Sequence, residues 1–294
     1  MRVFYVGSDR YLGCAQSILE SGHTIAGLHA NGPGHQRVGD LARRLAVPWT
    51  TGRIPPATFQ ALRADGVDLF FTAGFGHRVP IEADPELRAV NFHPMLLPEG
   101  RGPDPYPWVI LEGRPETGIT LHEMTPRLDD GPILLQRAIP VHERETAVTL
   151  ALRSAIAARE ATSELFAGFE RYWANRRPQA GGSYWKALTA LAREVDWALP
   201  VFDVDRRLRA HAAAGAWTVI WGRRAELQPV ACWTERHAHP AGTIISEQHA
   251  VTLVAASGGY LAVQIKHGPP PLRRLAGGAR WRFAQLKAAT RPRG

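Results

Sequence analysis

Through its first half the chain alternates short apolar runs with stretches whose apolar residues recur at helical spacing. The runs are "RVFYVG" from Arg2, "TIAGLHA" from Thr24 and "DLFFTAG" from Asp68, and the helical stretches are Tyr11 to Ser21, Arg37 to Ala46 and Pro56 to Ala64. Such alternation predicts βαβ units and a mainly parallel sheet, an α/β fold. Ala89 to Phe92 reads as the end of another short buried strand. "ETGITLHEM" from Glu116 alternates like a strand, and "RLDDGPILLQRAIPV" from Arg127 reads as a turn followed by a strand. Glu145 to Trp173 is one long helix-compatible segment, and "ANRRPQAGGSYW" from Ala174 carries a run of helix and strand breakers that reads as a linker. Beyond it the pattern changes to one short helix, Asp203 to Ala214, and closely spaced strands: "WTVIW", "QPVACW", "GTII", "AVTLVAAS" and "YLAVQIK". Short strands at this spacing suggest a small β-barrel. The expected organisation is therefore a catalytic domain over 1–174, a linker over 175–200 and a barrel domain over 201–294.

With 294 residues the chain is long enough for two domains, each with its own core. The N-terminus runs straight into a strand with no apolar stretch of signal-peptide or membrane-span length, so a cytoplasmic protein with no membrane partner is expected. Cys14 and Cys232 are far apart and form no ligand pattern, which argues against a disulfide framework or a metal site. The formal net charge is +8, and from Val201 onward fourteen basic residues face five acidic ones, so the excess sits almost entirely in the last third. Two readings of that excess stay open, a solvated arginine-rich face and a nucleic-acid platform.

"GSDRYLG" after the first strand is not a GxGxxG fingerprint, which disfavours a nicotinamide cofactor. The stretch that carries chemistry is "AVNFHPMLLPEGRGPDPYPW" from Ala89. Side chains alternate along a strand, so Asn91 and His93 project together at a strand's carboxyl end, where open α/β sheets place their ligands. Asp129 follows in a tight "DDG" turn. An amide, an imidazole and a carboxylate supply an oxyanion donor, a base and a proton relay for acyl transfer to an amine, without a metal or a covalent intermediate. No GxSxG elbow competes with them. Taken singly, each residue also reads as structural: Asn91 as a turn cap, His93 as a hydrogen-bonded core histidine, Asp129 as a turn former.

"NFHPMLLPEGRGPDPYPW", "ETGITLHEM" and "LDDGPILLQ" together resemble the signature of the 10-formyltetrahydrofolate-dependent formyltransferases, a family that includes glycinamide ribonucleotide and methionyl-tRNA formyltransferases. The resemblance implies a Rossmann-like formyltransferase sheet and puts the family's catalytic Asn, His and Asp on Asn91, His93 and Asp129. It implies 10-formyltetrahydrofolate as co-substrate, with Asp129 holding the imidazole in register. Met95 stands where the family usually has Ser, which removes a local turn hydrogen bond. "AGFGHRVP" from Ala73 is similar to the segment lining the family's pterin pocket, which implicates Phe75, Gly76 and Val79, together with Leu128 and Asp129. "EVDWALP" and the chain from Arg206 to Trp233 look like the family's OB-like C-terminal barrel.

The acceptor amine is less defined. The tRNA enzymes of the family carry a long basic loop after the second strand, whereas "HANGPGHQRVGDLARRL" is shorter and lacks a GRGKK-like run. A phosphate-backbone contact needs that charge. A small-molecule amine, such as a nucleotide-linked amino sugar or an amino-acid-derived intermediate, is therefore favoured. A methionyl-tRNA substrate, reached through the basic C-terminal domain, and a 10-formyltetrahydrofolate hydrolase are the alternatives, and a homodimer is compatible with the sequence. Arg101 is a candidate for an anionic part of the substrate or for a loop-bracing salt bridge. Asp104 is a candidate for the ammonium or for a turn. His77 and His122 read as core or surface histidines, and the spacing of Trp217, Trp221 and Trp233 favours core packing over base stacking.

Overall fold

The computed structural model describes residues 1–81, 87–220 and 223–267. The chain divides into two compact units. The first comprises residues 1–105, 114–142 and 149–187, and the second comprises 106–113, 143–148 and the chain from Leu188.

In the first unit, β1 (Arg2–Gly7), β2 (Thr24–Ala30), β3 (Trp49–Thr51), β4 (Leu69–Ala73), β5 (Arg88–His93), β6 (Glu116–Glu123) and β7 (Ile133–Pro140) form one seven-stranded sheet in the order β3-β2-β1-β4-β5-β6-β7. From β3 through β5 the neighbours run parallel, and β6 and β7 are antiparallel additions. The crossovers use α1 (Leu12–Glu20), α2 (Gln36–Leu45) and α3 (Thr58–Ala64). The central strands are apolar on both faces, as a parallel sheet covered on both sides requires. Phe4 stacks beside Phe70 and Tyr5 beside Phe71, in register across β1 and β4. Each such ring contributes about 1.5–3 kcal/mol by leaving water.

Three local features were not anticipated by the sequence reading. The long helix is two: α5 (Ala147–Ala167) stops at Gly168, whose φ of −147° is not helical, and α6 (Phe169–Ala174) restarts after it. The proline-rich "PYPW" opens α4 (Pro105–Leu111), because proline is tolerated in a first helical turn whose N–H groups have no partner anyway. The segment read as a linker, 175–200, falls within both units, with 175–187 in the first.

The second unit holds α7 (Val201–Ala210) and a five-stranded antiparallel sheet. Its strands are β8 (Ala216–Ile220), β9 (Arg223–Thr234), β10 (Ile244–Gln248), β11 (Val251–Ala256) and β12 (Gly259–His267), in the order β10-β11-β12-β9-β8. Among the described residues no pairing joins β10 to β8. β9 continues through Pro229 because its register with β12 shifts between Ala262 and Val263, an irregularity that accommodates a residue without an N–H. The core gathers Trp197, Val204, Leu208, Leu227, Val254 and Leu261. Trp217 and Trp233 are not part of it, contrary to the sequence expectation: Trp217 is half-buried and Trp233 is exposed. Both lie in strands whose indoles find polar partners at the surface, Ala190 O for Trp217 and the Glu235 carboxylate for Trp233. Trp221 lies outside the described residues, as do the basic residues from Arg273 onward.

Candidate active site

Three adjacent strands put one polar side chain each into a row. Thr72 on β4 is in register with Asn91 on β5, and Asn91 with His122 on β6. The Thr72 hydroxyl donates to Asn91 Oδ1, and Asn91 Nδ2 donates to His122 Nε2 at 3.1 Å. His122 Nδ1–H donates to the Glu123 carbonyl at 2.8 Å, which leaves Nε2 as the acceptor. Full burial pushes the His122 ring down from its ordinary 6.5 to about 4, against the opposing pull of the Asp129 carboxylate. The ring is therefore neutral at physiological pH. The Asn91 amide is thus oriented from both ends. His122, read from sequence as an ordinary core or surface histidine, belongs to the cluster around Asn91.

His93 ends β5 and is buried, 4% exposed. Its Nε2 lies 2.9 Å from the Gly100 carbonyl oxygen. A carbonyl can only accept, so Nε2 carries a proton, and Nδ1 is the ring nitrogen turned toward Asp129. Nδ1 faces Asp129 Oδ1 at 3.6 Å, and Asn91 Nδ2 reaches the same oxygen at 3.5 Å. Gly100, not Asp129, makes the hydrogen bond that sets the imidazole's register. The tight 98–102 loop brings the Gly100 carbonyl under the ring.

Asp129 is 5% exposed and sits at φ +55°, a conformation that costs a non-glycine residue on the order of 1 kcal/mol or more. Its Oδ2 accepts the Gly102 N–H at 3.0 Å. The Arg101 guanidinium is engaged locally: it donates to Asp129 O at 3.2 Å and Gln179 Oε1 at 2.9 Å, and pairs with Asp130 at 3.1 Å. Of the two readings open for Arg101, these contacts match the loop brace. Asp104 is exposed. Met95 is buried, and its sulfur accepts the Thr117 hydroxyl at 3.0 Å, while Thr120 donates to the Met95 carbonyl at 2.6 Å. The turn that the missing Ser would serve is held in this way from β6.

Phe75 and Val79 follow β4 and remain half-buried against the core cluster of Phe4, Phe59 and Phe70. Phe75 lies edge-on between His29 and His77, at 5.4 and 5.5 Å. Gly76 N–H donates to Asn31 Oδ1 at 2.8 Å. Leu128 is 52% exposed on the neighbouring loop, which Arg78 joins to this segment through the Pro126 carbonyl at 2.9 Å. Asn91, His93 and Asp129 thus meet directly, and the other four pterin-pocket candidates, Phe75, Gly76, Val79 and Leu128, lie on two loops tied to each other. Cys14 is buried, with its thiol pushed up to about 12 by that burial, which disqualifies it as a nucleophile.

The formyl transferase family model matches residues 46–165, and the model of the family's C-terminal domain matches residues 188–269. The chain belongs to the formyltransferase family. This formyltransferase is 32% identical over 212 residues to a methionyl-tRNA formyltransferase of Chromobacterium violaceum, covering 70% of this chain and 67% of that one. A methionyl-tRNA formyltransferase of Thiobacillus denitrificans is 29% identical over 285 residues, 90% of each chain. Among solved structures, HypX from Aquifex aeolicus in complex with tetrahydrofolic acid shares the fold at TM-score 0.68 and 20% identity, over 91% of this chain. The formyltransferase spans 44% of HypX's length. The N-formyltransferase of Helicobacter canadensis, solved with folinic acid and dTDP-3-aminofucose, matches at TM-score 0.66 and 15% identity, over 90% of this chain and 99% of that one.

Proposed function

We propose that this enzyme moves a formyl group from 10-formyltetrahydrofolate to the primary amine of a small molecule, a nucleotide-linked amino sugar or an amino-acid-derived intermediate. The observation that carries the reading is the convergence of a doubly oriented Asn91 amide, the Nδ1 of His93 and the buried Asp129 carboxylate at the carboxyl end of β5. The co-substrate fits the residues around them. Phe75, Val79 and Leu128 offer apolar surface to a planar fused ring on two loops held together.

In the transfer, the acceptor nitrogen bonds to the formyl carbon, the carbon's bond to N10 breaks, and one proton passes from the amine to N10. Asn91 Nδ2–H, now on a long contact to Asp129, is free to turn to the oxygen that gains charge. His93 Nδ1 takes the amine proton, and Asp129 stabilises the charged ring that results. Tetrahydrofolate leaves with the proton returned to it.

The loop between β2 and α2 supports a small acceptor. It is five residues long, 31–35, without lysine or arginine. Asn31 is tied to Gly76, and the His35 ring lies 3.5 Å from the Asp9 N–H. Sugar N-formyltransferases among the fold relatives act on acceptors of the proposed kind.

A methionyl-tRNA acceptor is the second reading. The curated relatives favour it, as does a cleft of about 290 Å³ in the second unit lined by Arg193, Trp217 and Arg224. Arg224 stacks over Trp217 at 4.2 Å, an arrangement suited to a nucleobase or phosphate. On this reading the second unit is the OB-like barrel of the resemblance.

Asn91→Ala tests the assignment. It should keep donor affinity and lose about 100-fold to 1000-fold in turnover, as removal of an oxyanion donor does. Full turnover in that variant would refute the role of Asn91.

A further inference from the structure

Gln179 lies in the stretch that reads as a linker, yet its side-chain amide makes four hydrogen bonds around the Asp129 turn. Nε2 donates to Asp129 O at 3.0 Å and to Gly131 O at 2.7 Å. Oε1 accepts from Arg101 Nε at 3.2 Å and from the Arg101 terminal nitrogen at 2.9 Å. A flipped amide would set oxygen against two carbonyl oxygens and nitrogen against a guanidinium, so this orientation is fixed. The surrounding backbone is laced to the same two loops. Arg177 and Ile133 exchange N–H···O bonds at 2.7 and 2.8 Å, and Ser183 and Trp185 pair with Pro98 and Arg101. Gly182 permits the close approach: at φ +96°, a Cβ there would stand 2.1 Å from the Pro98 carbonyl oxygen.

We infer that Gln179 is a positioning residue for the transfer, holding the strained Asp129 turn so that its carboxylate stays on the Gly102 N–H and in front of His93 Nδ1. The inference rests on the reading of Asp129 as part of the reacting site. The Asp129 backbone stays in a left-handed conformation because the surrounding structure fixes it. Gln179 and Arg101 are the side chains whose hydrogen bonds hold its carbonyl. Misplacing a reacting group by about an ångström can cost up to about 100-fold in rate, so a side chain that touches no substrate can govern turnover from here.

The test compares Gln179→Glu and Gln179→Ala with the wild type. Glutamate keeps the length and the Arg101 pairing but turns acceptors toward two carbonyl oxygens, so it separates the donor function from simple packing. Two measurements are made: steady-state formyl transfer from 10-formyltetrahydrofolate, with dTDP-3-aminofucose and charged initiator methionyl-tRNA as acceptors, and amide hydrogen exchange at Gly102. For Gln179→Glu the expected result is a kcat lower by roughly 10-fold to 100-fold. The KM for the formyl donor should stay within about 2-fold, since the Gln179 amide holds a turn of the protein and neither substrate. Gly102 exchange should be faster by at least about 10-fold while Val6 and Phe70 stay as protected as in the wild type. Gln179→Ala should show the same signs. An unchanged kcat, a loss that appears equally in KM, or unchanged Gly102 exchange overturns the role of Gln179. A wild type inactive with both acceptors counts against the proposed function instead, and Gly102 exchange then decides the role of Gln179 alone.

Discussion

Replacing Thr72 by valine removes one hydroxyl and little else. Thr72 is 1% exposed, and its hydroxyl is the donor that holds Asn91 Oδ1. In Thr72→Val that carbonyl oxygen loses its partner in a partly buried place, which costs about 1–3 kcal/mol. Asn91 is itself half-buried, so the lower half of that range, about 1–2 kcal/mol, is the expected loss of stability. At roughly 2–4 °C per kcal/mol for a unit of this size, the melting temperature falls by about 2–8 °C. Turnover should fall further than stability suggests. The amide is then held from one end, by His122 Nε2, and each 1.4 kcal/mol of lost orientation is about a factor of ten in rate. A kcat lower by roughly 10-fold, with donor KM unchanged, is the expected outcome in a formyl-transfer assay run beside urea denaturation. Thr72→Ser restores the hydroxyl and should recover both properties. A valine variant with the wild-type kcat would refute the claim that the β4–β5–β6 row orients Asn91 for catalysis.

Three further outcomes are expected. His93→Gln keeps a donor for the Gly100 carbonyl but has no atom equivalent to a basic Nδ1, so it should fold normally and lose about 100-fold or more in kcat; a loss under 3-fold would move the base elsewhere. Gly102→Ala forces a side chain into a φ of +122° and places its Cβ 2.2 Å from the Trp185 carbonyl oxygen, so the loop must shift and take the Asp129 Oδ2 donor with it. Circular dichroism should then show a folded protein whose transfer rate is down by at least about 10-fold. His122 and His211 are both pushed down from 6.5 to about 4, chiefly by burial, with Arg207 and Arg193 adding to the effect at His211. The unfolded chain binds those protons first, so the stability they carry is complete above pH 6.5 and is lost as pH falls toward 4. Urea midpoints should drop across that window, and a flat profile would contradict the buried neutral state of these rings.

The parallel core was legible because its signal is local: fully apolar runs alternating with helices leave few other folds, and β1, β2 and β4 lie where the runs lie. The pair Asn91 and His93 was legible for the same reason, since period two puts both on one face. What the sequence hides is pairing between distant strands. Nothing near His122 shows that β6 will lie antiparallel to β5 with its imidazole opposite Asn91, and nothing near Thr72 shows that β4 completes the row. The single polar residue between Leu69 and Ala73 was the available hint. Gln179 and Ser183 were hidden by composition, because glycines that let a segment lie against the 98–102 loop look the same as glycines that loosen a linker. Trp217 and Trp233 depart from expectation because an apolar strand in sequence need not turn its rings inward. There Trp197, before the first strand, fills the core.

The measurement that tests the central claim most directly is mass spectrometry of the products formed by the wild-type enzyme and Asn91→Ala from 10-formyltetrahydrofolate. Amino sugar nucleotides, amino acids and charged initiator methionyl-tRNA would be offered in parallel as acceptors. The account predicts an N-formylated small amine with the wild type, an untouched tRNA, and product formation about 100-fold or more slower with the variant. Formyl-methionyl-tRNA as the product would contradict the choice of acceptor, and equal rates for the two proteins would contradict the site itself.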